Sequence, residues 1–471
     1  MRGAAAFPWP AAHFVGVGGV SMSGLAAALA ALGVPCSGSD VADGPRLRRL
    51  ALAGVAVRVG HAAAPVEALA PGTVVVHSTD VPASNPELAA ARARGLPVEH
   101  RSAVLAWFLA HGGPAAAAVT GTHGKTTTTS LLGVGCQAAG LDPTVFVGAD
   151  VPGLEGGNHR LGSGPVVAEA DESDGSFVRY HPQVAVATAL EPEHLEHYGG
   201  SFAAVIASFD GFLRGLPAGA LAVLCGDDPR LRGLGGSGPE VLWYGLGPGA
   251  DLTAGDLVLE RQRTTFTARL HGRDICAVTL RLPGRHNVAN ALAALGAALR
   301  LGAAPEPFAE ALSAFEGPVR RFQLLTPPGS PVTVVDDYAH NPAKVAAALS
   351  AARQRAGGRV LALFQPHRYH RTAQLMDAFG PAFRDCDVLW MTEVYAPAGE
   401  QAVPGVSGAA LADLVTRRSG VSVRFVPGAA EAVAACLAEA RPGDLVIVMG
   451  AGDITAAAHD LAARLGATAP A

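Results

Sequence analysis

Short apolar segments that end in a glycine-rich turn, each followed by a helical pattern, recur along the chain. Clear examples begin at His13 (HFVGVGG), Ala115 (AAAAVTGTHGK) and Leu445 (LVIVMGAGD). A short apolar strand that leads through a glycine turn into a helix is the repeating unit of parallel α/β sheets. The pattern therefore predicts an α/β fold built from strand–loop–helix units.

These units form three blocks, from His13 to about Glu99, from Ala115 to about Gly317, and from about Arg320 onwards. Neither an internal repeat of fixed period nor a low-complexity linker interrupts them. A length of 471 residues also suits three domains of roughly 150 residues each. Ligands of parallel sheets bind at the carboxyl ends of the strands, so the polar residues after each apolar segment are the first candidates for chemistry.

The composition excludes several classes of protein. With 49% hydrophobic residues and a net charge of -5, the chain can build packed cores but has no broad cationic surface for nucleic acid or an anionic membrane. The uncharged stretch from Gly3 to Ser39 could span a bilayer, but Pro8, Pro10 and several glycines and serines interrupt it. The six scattered cysteines lack metal-binding spacing and are typical of core residues in a reducing compartment. We expect a cytoplasmic enzyme without a membrane span.

A glycine-rich loop with an uncommon lysine is the first candidate site. Residues 121–126 (GTHGKT) lie between a predicted strand ending at Thr120 and a predicted helix starting near Lys125. Such a loop brings backbone N–H groups to phosphate oxygens, while the lysine binds the β- and γ-phosphates and the next hydroxyl binds Mg²⁺. Lys125 is one of only two lysines in the chain. We expect a nucleotide site here, with Val119 standing where the general motif has its first glycine.

Two acidic segments follow later strands of the same block. Residues 169–174 (EADESD) follow the apolar PVVA, and residues 191–198 (EPEHLEHY) follow VAVATAL. Mg²⁺ at a phosphate site needs only one or two protein carboxylates, and Glu169 is best placed at the end of its strand. His194 is the stronger candidate in the second segment. The other acidic residues of the first segment are interpreted as a solvated loop: Asp171, Glu172 and Asp174.

The first block carries a second glycine-rich loop, GVGGVSMSG over residues 16–24, with Ser39 and Asp40 about twenty residues later. A glycine-rich turn between strand and helix, followed by an acidic residue at this spacing, looks like a dinucleotide-binding fingerprint. Taken alone, the loop predicts a bound diphosphate and leaves the identity of that diphosphate open.

The ordered set of motifs in all three blocks resembles the Mur ligase family: GTHGKTTTT, EADESDGSF, EPEHLEHYG, PGRHNVANALAA, RRF, DDYAHNP, FQPHRYHRT and GAGDI. The resemblance implies three α/β domains, in which Rossmann-like parallel sheets flank a central P-loop ATPase domain. The implied ranges are 1–106 for the UDP-sugar, 107–318 for ATP and 319–471 for the amino acid. The loop at residues 16–24 would then hold the diphosphate of UDP.

The resemblance also implies roles for individual residues. Catalytic roles map to Lys125, His194, His340 and Arg371. Nucleotide binding maps to Gly121, Thr122, His123, Gly124, Lys125, Thr126, Thr127, His286, Asn287, Asn290, Arg321 and Asp337. UDP-sugar binding maps to Gly18, Gly19, Ser21, Met22, Ser39, Asp40, His77 and Ser78. The amino acid pocket maps to Tyr338, His340, Arg368 and Arg371. Metal binding maps to Thr126, Glu169 and His194.

The implied activity is an ATP-dependent ligation in peptidoglycan precursor synthesis. The carboxylate of UDP-N-acetylmuramate would be activated as an acyl phosphate and then joined to the amine of L-alanine. Lys125, Arg321 and two Mg²⁺ ions, for which Mn²⁺ can substitute, would offset the repulsion between the carboxylate and the triphosphate. Arg368 and Arg371 suit the carboxylate of a small amino acid, and His340 suits its amine.

Several alternatives stay open at this point. A ligase that attaches an intact tripeptide to the same UDP-sugar would share the first two domains, although the PHRYHRT segment fits a small amino acid better. Asn341 stands where family members that add L-alanine usually have a second histidine, which weakens an amine-binding role at that position. Glycine and L-serine stay open as substrates, because they differ so little from L-alanine that a pocket separates them only modestly. A nicotinamide-dependent oxidoreductase would leave Lys125 unexplained, and a non-catalytic ATP switch would leave Arg368 and His340 unexplained. The sequence does not give the oligomeric state.

Overall fold

The computed structural model describes residues 6–397 and 400–466. This part of the chain folds into two compact units. The first unit contains the N-terminal sheet and most of the central sheet, and the second contains the C-terminal sheet together with residues 256–266 and 279–288. The expected domain ranges also include residues 1–5, 398–399 and 467–471, which lie outside the described residues.

The N-terminal sheet has five parallel strands in the order β3-β2-β1-β4-β5. The reversal of strand order beside β1 brings the carboxyl ends of β1, β2 and β4 together, where parallel sheets bind ligands. The strands are β1 (Ala12–Val15), β2 (Cys36–Asp40), β3 (Ala56–Val59), β4 (Val74–His77) and β5 (Val98–His100). The helices are α1 (Val20–Ala31), α2 (Pro45–Leu52), α3 (Ala63–Glu67), α4 (Pro86–Ala93) and α5 (Arg101–His111).

The central sheet has ten strands in the order β15-β14-β13-β12-β11-β10-β6-β9-β7-β8. Its middle strands β6 and β10 are fully buried and consist of small, almost entirely apolar residues, as strands covered by helices on both faces require. The strands are β6 (Ala116–Thr120), β7 (Thr144–Phe146), β8 (His159–Arg160), β9 (Val166–Glu169), β10 (Val184–Ala187), β11 (Leu221–Cys225), β12 (Glu240–Gly245), β13 (Leu252–Leu259), β14 (Thr264–Leu270) and β15 (Arg273–Leu280). The helices are α6 (Lys125–Ala138), α7 (Phe202–Arg214), α8 (Arg285–Arg300) and α9 (Pro305–Ala314), with short 3-10 helices at Ser176–Arg179 and Leu195–Tyr198.

The C-terminal sheet has six strands in the order β16-β17-β21-β18-β19-β20, and only β16 pairs antiparallel. Successive residues of one of its central strands, such as Leu363 and Phe364, enter separate cores on the two faces of the sheet. The strands are β16 (Gln323–Leu324), β17 (Thr333–Asp337), β18 (Val360–Phe364), β19 (Val388–Met391), β20 (Ser422–Phe425) and β21 (Leu445–Met449). The helices are α10 (Pro342–Arg355), α11 (Tyr369–Ala382), α12 (Gly408–Ser419), α13 (Ala429–Glu439) and α14 (Thr455–Leu465).

The structure confirms the predicted α/β class with its predominantly parallel sheets. The six cysteines are buried free thiols, as the sequence predicts, and burial raises the pKa of Cys36 and Cys136 to about 12. No helix in the described part of the chain is both long and apolar enough to cross a membrane.

Candidate active site

The predicted phosphate loop lies between β6 and α6, and the helix begins at Lys125 as expected. Gly121 and Gly124 have φ values of +124° and +81°, in the left-handed region that favours glycine. A Cβ at Gly121 would collide with Thr188, and one at Gly124 would lie 2.5 Å from Asn290 Oδ1. No side chain caps the N-terminus of α6. Its first N–H groups and the positive end of the helix dipole can therefore face an anion.

Lys125 is held by its own loop and by an acidic partner. Its Nζ donates to Gly121 O at 2.7 Å and lies 2.7 Å from Glu172 Oε2. Burial opposes the charge of the lysine, but nearby carboxylates, with Glu172 first and Asp171 next, raise its pKa overall. Burial also raises the pKa of Glu172 to about 7, even though Lys125 acts in the opposite direction. The ammonium group that the sequence predicts to bind phosphate is therefore charged and already paired with a carboxylate.

The prediction of a solvated loop is wrong for Glu172 and Asp174, whose side chains are buried, whereas the side chain of Asp171 is 36% exposed. Glu172 is 3% exposed, and Arg101 Nη2 lies 3.2 Å from Asp171 Oδ2. Asp174 Oδ2 accepts from Thr79 Oγ1 at 2.8 Å and lies near His100 and Arg101. The cationic partners come from the start of α5 and of α6, far away in sequence, so no local pattern could pair them with these acids.

Two side-chain oxygens that can ligate a metal lie together, one at the start of α6 and one at the end of β9. Thr126 Oγ1 donates to Glu169 Oε1 at 2.9 Å, and Glu169 Oε2 accepts from Gly148 N at 2.7 Å. A hydroxyl and a carboxylate beside a phosphate loop are suitable ligands for Mg²⁺, which takes its remaining ligands from phosphates and water. Among the described residues, no three His, Cys, Asp or Glu side chains gather as a complete metal cage. The pair Thr126–Glu169 fits one nucleotide-bound Mg²⁺.

The expected third metal ligand, His194, precedes the 3-10 helix Leu195–Tyr198 on the loop after β10. It adopts a left-handed conformation with φ +55°, and its Nδ1 lies 3.9 Å from Glu196 Oε1. A non-glycine residue in this region is strained, and such strain is common at functional sites. The metal role of His194 stays a prediction.

The expected nucleotide-binding residues of α8 lie within its first two turns. His286 is exposed, whereas Asn287 and Asn290 are buried. Asn287 Nδ2 donates to Pro283 O at 2.7 Å, and Asn290 Oδ1 accepts from Thr128 Oγ1 of α6 at 3.3 Å. Asn290 therefore joins α8 to the helix that follows the phosphate loop.

In the second unit, a polar cluster follows β17. Asp337 accepts from Phe322 N and Ala339 N, each at 2.7 Å, and burial raises its pKa to about 6. The guanidinium of Arg321 lies over the ring of Tyr338, 5.2 Å from the ring centre. The turn that carries Arg321 is thereby fixed against the end of β17.

His340 and Arg371 belong to one aromatic and basic cluster. His340 is 6% exposed, and its Nδ1 lies 2.7 Å from Tyr338 O, the arrangement of a neutral ring that donates through Nδ1. Burial holds the pKa of His340 well below its usual value. Arg371 Nη1 lies 3.1 Å from His367 Nδ1, and His367 stacks on Tyr395 with ring centres 5.4 Å apart. Sequence reasoning missed His367 and Tyr395, which support the residues it identified.

Arg368 precedes α11 with φ +68°, and its backbone N donates to Tyr395 O at 2.8 Å. Such a conformation costs an arginine about 1–3 kcal/mol and persists only where its surroundings impose it. Asn341 is 2% exposed and caps α10, because its Oδ1 accepts from Lys344 N at 2.8 Å. The departure from the usual second histidine therefore has a local structural role.

The glycine-rich loop of the N-terminal domain is fixed by the end of β2. Gly16 N and Val17 N donate to Ser39 O at 2.8 and 2.9 Å, and Gly18 N donates to Asp40 Oδ2 at 2.8 Å. The side chain of Asp40 therefore holds the loop in place. Its contact with a ribose, which the dinucleotide fingerprint implies, stays a prediction.

Other expected UDP-sugar residues lie around this loop and at the end of β4. Met22 is 2% exposed, so its side chain belongs to the core. His77 Nδ1 lies 3.0 Å from Ser78 O, and the His77 ring packs edge-on against His100. Gly19 and Ser21 flank the start of α1.

Models of three known domains match almost the whole length of the chain. They are the Mur ligase family catalytic domain at residues 11–112, the Mur ligase middle domain at 119–298 and the Mur ligase glutamate ligase domain at 320–452. The chain belongs to the Mur ligase family. The resemblance stated from the motifs is thereby confirmed, together with the three-domain α/β fold.

Individual relatives of this Mur ligase carry more specific names. A protein of Symbiobacterium thermophilum named UDP-N-acetylmuramate--L-alanine ligase is 48% identical over 461 residues, which is 96% of this chain and 94% of that protein. The crystal structure of the ligase MurC from Thermotoga maritima superposes with a TM-score of 0.81 at 29% identity, covering 96% of this chain and 98% of that one. A murein peptide ligase from Psychrobacter arcticus gives a TM-score of 0.68 at 22% identity, covering 98% and 99%, which shows a shared fold.

Proposed function

We propose that this Mur ligase joins L-alanine to the carboxylate of UDP-N-acetylmuramate at the expense of ATP. Two observations support the phosphoryl-transfer half of the reaction. Lys125 of the phosphate loop is charged and paired, and the side-chain oxygens of Thr126 and Glu169 lie beside it as possible metal ligands. The name of a relative 48% identical over nearly its full length supports the choice of the two substrates to be joined.

The chemistry explains why such a loop is needed. A carboxylate is a poor electrophile, and joining it to an amine in water is uphill. ATP with Mg²⁺ supplies the phosphoryl group that converts the muramoyl carboxylate into an acyl phosphate. Lys125 would exchange Glu172 for the β- and γ-phosphates and so offset the repulsion between two anions. Thr126 and Glu169 would hold the metal, and we propose a second ion at His194, with Mn²⁺ able to substitute at both.

The cluster after β17 suits the second half of the reaction. A neutral His340 that donates through Nδ1 keeps the lone pair of Nε2, which can accept a hydrogen bond from the alanine amine and place it for attack. Arg371, steadied by His367, and Arg368, held in a strained conformation, can pair with the alanine carboxylate. We assign Arg321, Asp337, His286, Asn287 and Asn290 to the nucleotide.

We propose domain boundaries in the loops after α5 and α9. The expected first boundary, residue 106, falls inside α5 (Arg101–His111), and a domain border is better placed in a loop such as residues 112–115. The expected second boundary at residue 318 falls in the loop between Ala314 and Gln323.

Phosphate release from ATP and Mg²⁺ tests the proposal. We expect release only when UDP-N-acetylmuramate and L-alanine are both present, with lower rates for glycine and L-serine. Lys125→Ala should abolish release, whereas Arg214→Ala, which removes an exposed pair with Asp210 on α7, should not. Release with the L-Ala-D-Glu-diaminopimelate tripeptide but not with L-alanine would instead support a tripeptide ligase.

A further inference from the structure

A fully buried carboxylate lies beneath the glycine-rich loop of the N-terminal domain. Glu87 is 0% exposed and occupies the first turn of α4, whose cap Asn85 accepts from Glu87 N at 2.9 Å. Its Oε2 accepts from Ser39 Oγ at 2.8 Å and lies 2.9 Å from His13 Nε2. Its Oε1 lies 3.1 Å from His61 Nδ1 and 3.3 Å from the N–H of Ala62.

Within the described part of the chain, the basic side chains that contact Glu87 are two histidines, His13 and His61. Burial disfavours the charge of the carboxylate, but hydrogen bonds from His13, Ser39 and His61 outweigh burial and hold the pKa of Glu87 below its usual value. Both carboxylate oxygens accept from donors on separate sides. The surroundings of Glu87 therefore suit a carboxylate. The amide of a glutamine would place an NH₂ donor against the donors on one of the two sides.

One residue connects Glu87 to the loop above it. Ser39 donates through Oγ to Glu87, and its backbone O accepts from Gly16 N and Val17 N. The next residue, Asp40, accepts from Gly18 N through Oδ2. The position of the end of β2, and with it the position of residues 16–18, is thereby tied to the buried carboxylate.

We propose that Glu87 is a positioning residue for the UDP-sugar: through Ser39 it fixes the glycine-rich loop in the conformation that receives the diphosphate. This inference rests on the proposed function, which assigns that loop to UDP. Glu87 does not itself contact the ligand in this account. Its effect should appear in UDP affinity and should leave the nucleotide site at Lys125 unaffected.

The test compares binding of UDP and of ADP by calorimetry in the wild type, Glu87→Gln, Ser39→Ala and the double variant. We expect Glu87→Gln to weaken UDP binding roughly ten-fold or more, the scale for loss of a hydrogen bond to a charged group. ADP binding should change by less than about two-fold, because distant sites behave independently. The double variant should bind UDP no more weakly than the weaker single variant, since both changes break one connection.

Asp444→Asn is the matched control, because Asp444 is a buried carboxylate in the C-terminal domain that pairs with Arg359. It should leave UDP binding unchanged. Unchanged UDP affinity in Glu87→Gln, equal loss of UDP and ADP affinity, or additive losses in the double variant would overturn the role of Glu87. If Glu87→Gln does not fold, Glu87→Asp, which keeps the charge but withdraws it from Ser39 Oγ, must show the UDP-specific loss. A wild-type protein that does not bind UDP would contradict the loop assignment itself.

Discussion

Replacement of Lys125 by Met should destabilise the folded chain as well as abolish catalysis, and the loss should depend on pH. The side chains of Lys125 and Glu172 are 14% and 5% exposed, and their charged atoms lie 2.7 Å apart. Removing one member of a buried ion pair leaves the other charge uncompensated, which costs about 3–5 kcal/mol. Met keeps the length and most of the volume of the lysine stem, so loss of packing adds little.

Protonation of Glu172 sets an upper limit to this cost. A carboxyl with an ordinary pKa of 4.5 can escape the penalty by binding a proton, at about 1.4 kcal/mol for each pH unit above that value. At about pH 7.5 this escape costs about 4 kcal/mol, but the wild type, in which the folded pKa of Glu172 is already about 7, bears about 3 kcal/mol of it. The stability gap from this source is therefore limited to about 1 kcal/mol at about pH 7.5 and about 2 kcal/mol at about pH 8.5. The pKa of Glu172 is raised on folding, so its contribution to stability falls as the pH rises from 4.5 through about 7. Without Lys125 the folded pKa is higher still, and the loss continues above pH 7.

The assay is urea denaturation followed by circular dichroism between about pH 6 and pH 8.5, with hydrogen exchange of α6 as the local measure. The stability gap between Lys125→Met and the wild type should widen above about pH 7 by up to about 1.4 kcal/mol per unit. Lys125→Met with Glu172→Gln should recover most of the stability and remain inactive. A single variant as stable as the wild type at about pH 8.5, or a double variant that recovers nothing, would refute the reasoning.

Three further predictions concern the separate parts of the site. If Thr126 holds Mg²⁺ as proposed, Thr126→Ala should raise the Mg²⁺ concentration needed for half-maximal phosphate release by roughly 10-fold or more. Thr126→Ser should not, because it keeps the hydroxyl that would bind the metal. Arg371→Lys should raise the KM for L-alanine about 10-fold with little change in the KM for ATP, since lysine cannot form two parallel hydrogen bonds to a carboxylate. An unchanged KM for L-alanine would show that Arg371 does not bind the alanine carboxylate. Asn341→Ala should lower stability by about 1 kcal/mol in thermal melts through loss of the α10 cap, and Asn341→Ser should restore it.

The local features of the fold could be predicted from the sequence. The strand ending at Thr120 and the helix starting at Lys125 could be predicted from an apolar segment followed by a glycine turn. Such elements are set by residues that are neighbours in the chain, so a local pattern is enough to find them. The oxygen pair Thr126–Glu169 could also be anticipated, because both residues end or follow parallel strands of one sheet.

The contacts that the sequence does not predict are long-range pairs of charged groups. The acidic segment that contains Glu172 has the pattern of a solvated loop, because its partner Lys125 lies on another element. Glu87 lies 74 residues from His13, and nothing in the sequence around Glu87 marks it as half of a buried pair. One signal is available in the sequence, since His13 lies within an otherwise apolar strand, where a polar side chain requires a buried partner.

The most direct test of the account follows an oxygen atom. UDP-N-acetylmuramate labelled with ¹⁸O in its carboxylate is incubated with the protein, ATP, Mg²⁺ and L-alanine, and the released phosphate is analysed by mass spectrometry. If the carboxylate attacks the γ-phosphate, each phosphate released together with product carries one ¹⁸O from the substrate. Unlabelled phosphate accompanying formation of the alanyl product would contradict activation by phosphoryl transfer at the Lys125 loop.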